Sequence, residues 1–232
     1  MKSIDAGIFF DQMIDDLNNG NLSRKSEMVE FFKKYNTNPN PTKTNIMQTW
    51  LNYVLTDACK NGHLNVVDFV LTSEELPLRA EINFNKDLAL FNACENNHLD
   101  IVKFLLTSTK LQEHGNIHAR NQSILTYPCK NGCLEIIKYL TSSPDLKEHA
   151  DIHANNDEPF MNLAYNNHLE VIKYFIFDLK MQKTSNIIHI ASQVYHIDLE
   201  EQLDQWVKVR DFKELVQDLP TNESKTSNKL KV

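Results

Sequence analysis

The alternation of apolar and polar positions along this chain is itself repeated. DACKNGHLNVVDFVLTS (57–73), NACENNHLDIVKFLLTS (92–108), PCKNGCLEIIKYLTSS (128–143) and LAYNNHLEVIKYFIFD (163–178) align, and Leu64, Leu99, Leu134 and Leu169 fall 35 residues apart. A second block, RAEINFN (79–85), HGNIHAR (114–120) and HADIHAN (149–155), keeps the same step through Ile82, Ile117 and Ile152. Two separate blocks held in one register mark a repeated supersecondary unit. The spacing predicts two short helices and a connecting finger in each unit. The first helix covers a stretch such as Leu88 to Asn96. It stops at Gly62, Asn97, Gly132 or Asn167, residue types that tolerate positive φ just past a helix end. The second starts at the leucine, with Leu99, Val102, Leu105 and Leu106 on one face. The four leucines are expected to be equivalent buried residues. The short, alternating HADIHA block predicts a β-turn finger. No such unit buries its apolar face alone, so the units must stack around one core.

Outside the repeats the pattern is helical but not periodic. Phe10, Met13, Ile14 and Leu17 form one apolar face, and Met28, Phe32 and Tyr35 another. Prolines and asparagines predict a loop over 36–45. Met47, Trp50, Leu51 and Val54 then lead into the first repeat. Beyond the fourth repeat, Ile187, Ile190, Ala191 and Val194 predict one helix, and Leu199, Leu203, Trp206 and Val207 another. The resulting division is an N-terminal helical cap (1–46), four repeats (47–182), a C-terminal helical cap (183–217) and a disordered tail (218–232) of almost no apolar content.

These repeats resemble the ankyrin repeat. That family has a GADVNA turn, a TPLHxAA first helix and a GHLEVVKLLL second helix. HADIHA, the pair Ala93–Cys94, and NGHLNVVDFVL or NNHLDIVKFLL stand in those places here. The likeness covers roughly residues 48–180 and implies an all-α solenoid. The chain departs from the family in three ways. Its period is 35 rather than about 33. Only EPFM (158–161) keeps the proline of the first helix, Pro159, suited to helix position N1. Arg79, His114 and His149 replace the turn glycine. Divergent HADIHA-type repeats are similar to those of intracellular bacteria and giant viruses, which implies a host-directed effector as one setting.

Charge and composition narrow the function. With 24 basic and 31 acidic side chains the net charge is −7, which argues against a nucleic-acid binder. No apolar run approaches a membrane span. The N-terminus lacks the pattern of a secretory signal. Five glycines leave no glycine-rich phosphate loop. No nucleophile elbow, H-E-x-x-H or dinucleotide fingerprint occurs. No catalytic residue, metal or cofactor is predicted.

The candidate chemical groups recur with the repeat, which argues for structure. Cys59, Cys94 and Cys129 share one repeat position. Adjacent helices lie about 8–10 Å apart and a disulfide needs Cα atoms within about 7 Å. The column is expected to be reduced and buried, as in a cytosolic protein, with Cys133 partly exposed. His63, His98 and His168 recur at the start of the second helix and predict a helix-to-loop hydrogen bond. His114/His118 and His149/His153 have metal-like spacing, yet Arg79 and Asn83 fill the same places one repeat earlier. Lys103, Lys138 and Lys173 predict a solvated helix face.

The resemblance also implies where a partner binds. In ankyrin proteins the finger tips and the solvent side of the first helix line a concave groove. Here those positions vary, and Lys86, Asn92, Glu95, Arg120, Tyr127, Lys130 and Tyr165 are the expected partner-binding residues. Tyr and Arg are the residue types that dominate interface energies. The reading is a non-catalytic, monomeric, cytoplasmic protein-binding module, with a host protein as target if the chain is secreted. The alternatives are an inhibitor or adaptor of another effector, or an enzyme with a site in the terminal helical regions.

Overall fold

The computed structural model describes residues 12–13, 15–36, 41–119 and 123–181, with positions 201, 204, 205 and 208. The chain divides into two compact units, 1–181 and 182–232. The expected C-terminal cap and tail lie outside the described residues, apart from those four helical positions in the second unit.

The first unit is a stack of helix pairs. A helical stretch at 15–18 and α1 (Lys25–Asn36) precede α2 (Pro41–Asn61). Then come α3 (Leu64–Thr72), α4 (Phe84–Glu95) and α5 (Leu99–Thr107). A 3₁₀ turn (Ser123–Leu125) runs into α6 (Thr126–Asn131), followed by α7 (Leu134–Ser142), α8 (Ala154–Tyr165) and α9 (Leu169–Lys173). A π-helical turn (Tyr174–Asp178) continues α9. The first helices of successive repeats, α2, α4, α6 and α8, touch one another as a front layer, and α3, α5 and α7 form the back layer with α9 as its fourth member. Among the described residues there is no strand. The expected finger is therefore a pair of turns without a β-ladder, tied to the back layer by Ala80 N–H to Val70 O (2.9 Å), Gly115 N–H to Leu105 O (3.0 Å) and Ala150 N–H to Leu140 O (2.8 Å).

Helix boundaries follow from backbone chemistry. Gly62, Asn97, Gly132 and Asn167 all adopt positive φ, between 56° and 79°, as their positions past the first helix demand. The finger tips hold a second left-handed feature. Asn85, Lys86 and Asp87 have φ of 49–58°, and Asn155, Asn156 and Asp157 have φ of 51–65°. Asn and Asp tolerate this region better than other side chains, which gives this asparagine-rich sequence a structural use. The right-handed helix starts only after each trio, so Pro159 sits in its first turn, where a missing N–H costs nothing. Helix α2 corrects the expected loop over 36–45. It begins at Pro41, with proline at the first helical position.

The core lies between the layers. Cys59, Cys94, Cys129 and the pairs Val66/Val67, Ile101/Val102, Ile136/Ile137 and Val171/Ile172 are almost fully buried. The repeated leucines are a partial correction. Leu64, Leu99, Leu134 and Leu169 are equivalent, each opening a back-layer helix, but all four are half-buried. The helix turns its third and fourth residues inward, so Ile101 rather than Leu99 belongs to the deepest face. At the N-terminal end Met13, Leu17, Met28 and Phe32 are buried. Phe10, Ile14 and the Tyr35 side chain lie outside the described residues.

Candidate partner-binding face

Neighbouring repeats are locked by the histidine column. A helix leaves its last carbonyls without partners. His98 Nε2 bonds to Lys60 O at 3.0 Å, His168 Nε2 to Lys130 O at 2.8 Å and His63 Nε2 to Asn18 O at 2.8 Å. Each ring lies over the left-handed glycine of the preceding repeat. A Cβ on Gly20, Gly62 or Gly132 would come within 2.5–2.7 Å of the imidazole. One junction departs. Asn97 carries a Cβ where the others have glycine, and Cys133 stands where the others have histidine. Asn131 Nδ2 donates to Glu95 O there (3.0 Å), the carbonyl equivalent to Lys60 O and Lys130 O. The carbonyl is thus capped at all four of these junctions.

The remaining histidines also have structural work. His114 Nε2 bonds to Ser108 O (3.1 Å) and His149 Nε2 to Ser143 O (2.9 Å). Arg79 Nε donates to the equivalent Ser73 O at 3.4 Å. The shared requirement is a donor to the carbonyl that ends the back-layer helix, which is why arginine and histidine interchange. His118 pairs with Glu148 (3.0 Å) and His153 with Asp157 (2.6 Å). No group of three potential metal ligands occurs among the described residues. All four cysteines are free. Burial pushes the thiols of Cys59, Cys94 and Cys129 far above their ordinary range, and raises that of half-buried Cys133. None is poised as a nucleophile.

The expected partner-binding residues fall on the front layer and its fingers in different states. Lys86 is exposed on a left-handed finger tip, and Lys130 is exposed at the end of α6. Tyr165, on α8, is 67% exposed. Tyr127 is half-buried, its ring edge-on to Phe91 at 5.1 Å, with the Lys130 ammonium 5.8 Å from its centroid. Glu95 is half-buried between the equivalent positions of Lys60 and Lys130. The Asn92 amide donates to Thr56 O at 3.0 Å, which ties α4 to α2. Arg120 lies outside the described residues.

Two exposed apolar residues were missed by the sequence reading. Ile46 is 53% and Tyr53 56% exposed on α2, and Tyr53 meets the Phe84 ring at 5.7 Å. Their spacing from Met47, Trp50, Leu51 and Val54 already puts them off the buried face. The three exposed large hydrophobics of the described residues, Ile46, Tyr53 and Tyr165, all belong to the front layer. Back-layer lysines instead carry partners. Lys138 pairs with Glu135 (3.2 Å), Lys173 with Glu170 (2.7 Å), and Lys103 sits 5.4 Å from the Tyr139 ring centroid.

The sequence that builds this stack matches a family model of ankyrin repeats (3 copies) over residues 21–114 and 55–156. The chain belongs to the ankyrin-repeat family. The match begins just after Gly20, whose contact with His63 repeats the junction geometry of the later units. Ankyrin repeats generally mediate protein–protein interaction, and the family is typically non-catalytic. No described helix is long and apolar enough to cross a membrane. Comparison with curated proteins finds no match.

Proposed function

We propose that this ankyrin-repeat chain is a non-catalytic, monomeric binding module that grips a protein partner with the front-layer face. The observation that carries this reading is the confinement of Ile46, Tyr53 and Tyr165 to that layer. Exposed aromatic side chains on a rigid scaffold offer large contact area with little rotamer entropy to lose. Lys86, Glu95, Tyr127, Lys130 and Tyr165 are the binding residues, joined by Tyr53. Arg120, the last residue of the second finger block in the sequence, extends the set, and Asn92 acts chiefly as a tie between α2 and α4. Four free cysteines fit a reducing cytoplasm, which for a secreted effector is the cytosol of a host.

Site-directed photo-crosslinking tests this reading. A photoreactive residue at position 165 is expected to capture a discrete protein adduct, and one at position 138, on the back layer, is not. Equal adducts from both positions, or none from 165, would overturn it.

A further inference from the structure

We propose that the partner segment held by the front face is acidic and apolar, with its carboxylates seated on Lys60 and Lys130. This rests on reading the front layer as a protein-binding face and adds the chemistry of what it binds.

Position 60 recurs once per repeat. The row reads Lys60, Glu95, Lys130, Tyr165, one residue from the last turn of each front helix. Neighbouring helices lie about 8–10 Å apart, so the two ammonium groups flank Glu95 with the aromatic ring of Tyr165 beyond. The backbone of this row is anchored. The carbonyls of Lys60, Glu95 and Lys130 each accept a hydrogen bond from the next repeat, from His98, Asn131 and His168 at 2.8–3.0 Å. The spacing of the row is thus set before any partner arrives, which lowers the ordering cost of binding.

The distribution of ion pairs gives the row its sign. In a chain of net charge −7, acids outnumber the lysines they might satisfy. Lys25, Lys33, Lys110, Lys138 and Lys173 each lie within 4 Å of a carboxylate. Lys60, Lys86 and Lys130 are exposed, and no ion pair is found for them among the described residues. Asp57 and half-buried Glu95 share the face. Asp157 and Glu158 near its far end are already engaged, by His153 (2.6 Å) and by the Asn155 amide (3.1 Å). Those two acids keep their charge and make the far end acidic, whereas toward the N-terminal end the exposed Lys60, Lys86 and Lys130 stand against Asp57 and half-buried Glu95, so the cationic positions open to a partner belong to that part of the face. Lys60 and Lys130 also sit where they complement a helix C-terminus, so their replacement needs a stability control. Nucleic acid is the poorer fit for this acidic chain, because its affinity rests on neutralising many phosphates.

The test uses three synthetic peptides of equal length and equal leucine and phenylalanine content, whose polar positions are all Glu, all Gln or all Lys. They are titrated against the full chain, the front reversal Lys60→Glu/Lys130→Glu, and the back reversal Lys138→Glu/Lys173→Glu, which changes net charge equally. Melting curves check folding, and Lys60→Gln/Lys130→Gln replaces the front reversal if that variant fails to fold. The Glu peptide is expected to bind the native chain and the back reversal at least about tenfold tighter than the Lys peptide. Added salt should weaken that binding, and the front reversal should abolish the preference. If the Gln or Lys peptide binds the native chain as well as the Glu peptide, the proposal is overturned and the protein-binding reading stands. If no peptide binds, the proposal is also overturned, and crosslinking from position 165 decides separately whether the protein-binding reading falls.

Discussion

His98 occupies the space that any side chain on Gly62 would need. A Cβ added to Gly62 would lie 2.6 Å from His98 Cε1, and the same ring bonds Lys60 O at 3.0 Å. Glycine and histidine in adjacent repeats are thus one unit of packing. The junction that lacks the glycine also lacks the histidine, with Asn97 and Cys133 in their places and Asn131 supplying the hydrogen bond.

The coupling predicts a non-additive mutant cycle. Cys133→His alone should drive the new ring against the Asn97 Cβ and cost about 1–3 kcal/mol, the usual range for overpacking. Adding Asn97→Gly should recover most of that loss. Urea unfolding of the wild type, both single variants and the double variant gives the interaction energy directly. Additive effects would show that the two positions are independent.

Removing the ring is expected to hurt where it both packs on a glycine and bonds a carbonyl. His98→Ala and His168→Ala should each lose about 1–2 kcal/mol, from lost packing against Gly62 or Gly132 and a lost hydrogen bond. His149→Arg should be nearly neutral in thermal melts, because Arg79 already bonds the carbonyl equivalent to that held by His149. His149→Ala, which removes the donor, should not be.

Buried thiols predict a loss of stability in alkali. A free thiol ionises near about pH 8.5, while the folded thiols of Cys59, Cys94 and Cys129 stay protonated far above that because burial opposes charge. The folded state then holds more protons than the unfolded state, so stability is intact below about pH 8.5 and falls as pH rises. Each thiol contributes about 1.4 kcal/mol per pH unit once its unfolded form is ionised. Denaturation of the native chain and Cys94→Ala between pH 8 and about 10.5 should show a shallower decline in the variant. Parallel curves would contradict the burial effect.

Tyr127 and Tyr165 should separate stability from binding. Tyr127 rests on Phe91, so Tyr127→Ala should cost about 0.5–1.5 kcal/mol of stability from the aromatic contact as well as affinity. Tyr165 is 67% exposed. Tyr165→Ala should stay within about 0.5 kcal/mol in stability and lose about 1–3 kcal/mol of binding. Calorimetry with the partner captured from position 165, beside urea unfolding, measures both, and Lys138→Ala should move neither.

The repeat, its helix pairs and the left-handed stops at Gly62, Asn97, Gly132 and Asn167 were legible in the sequence. They depend on local φ preferences and on a 35-residue register that one chain displays against itself. The buried cysteine column was legible for the same reason. Tertiary structure decided everything that required knowing which residue of one repeat touches the next. Leu99 yielded the deep core to Ile101 because the approach of the neighbouring helix, and not periodicity alone, sets which side is covered. Asn92 read as a variable surface residue, but its amide holds Thr56 O, a contact 36 positions away in the chain. Cys133 read only as the partly exposed cysteine standing where the other repeats have histidine. Only the stacked repeats reveal the cause of that substitution, because the Asn97 Cβ and the ring it excludes belong to different units and meet only when those units pack.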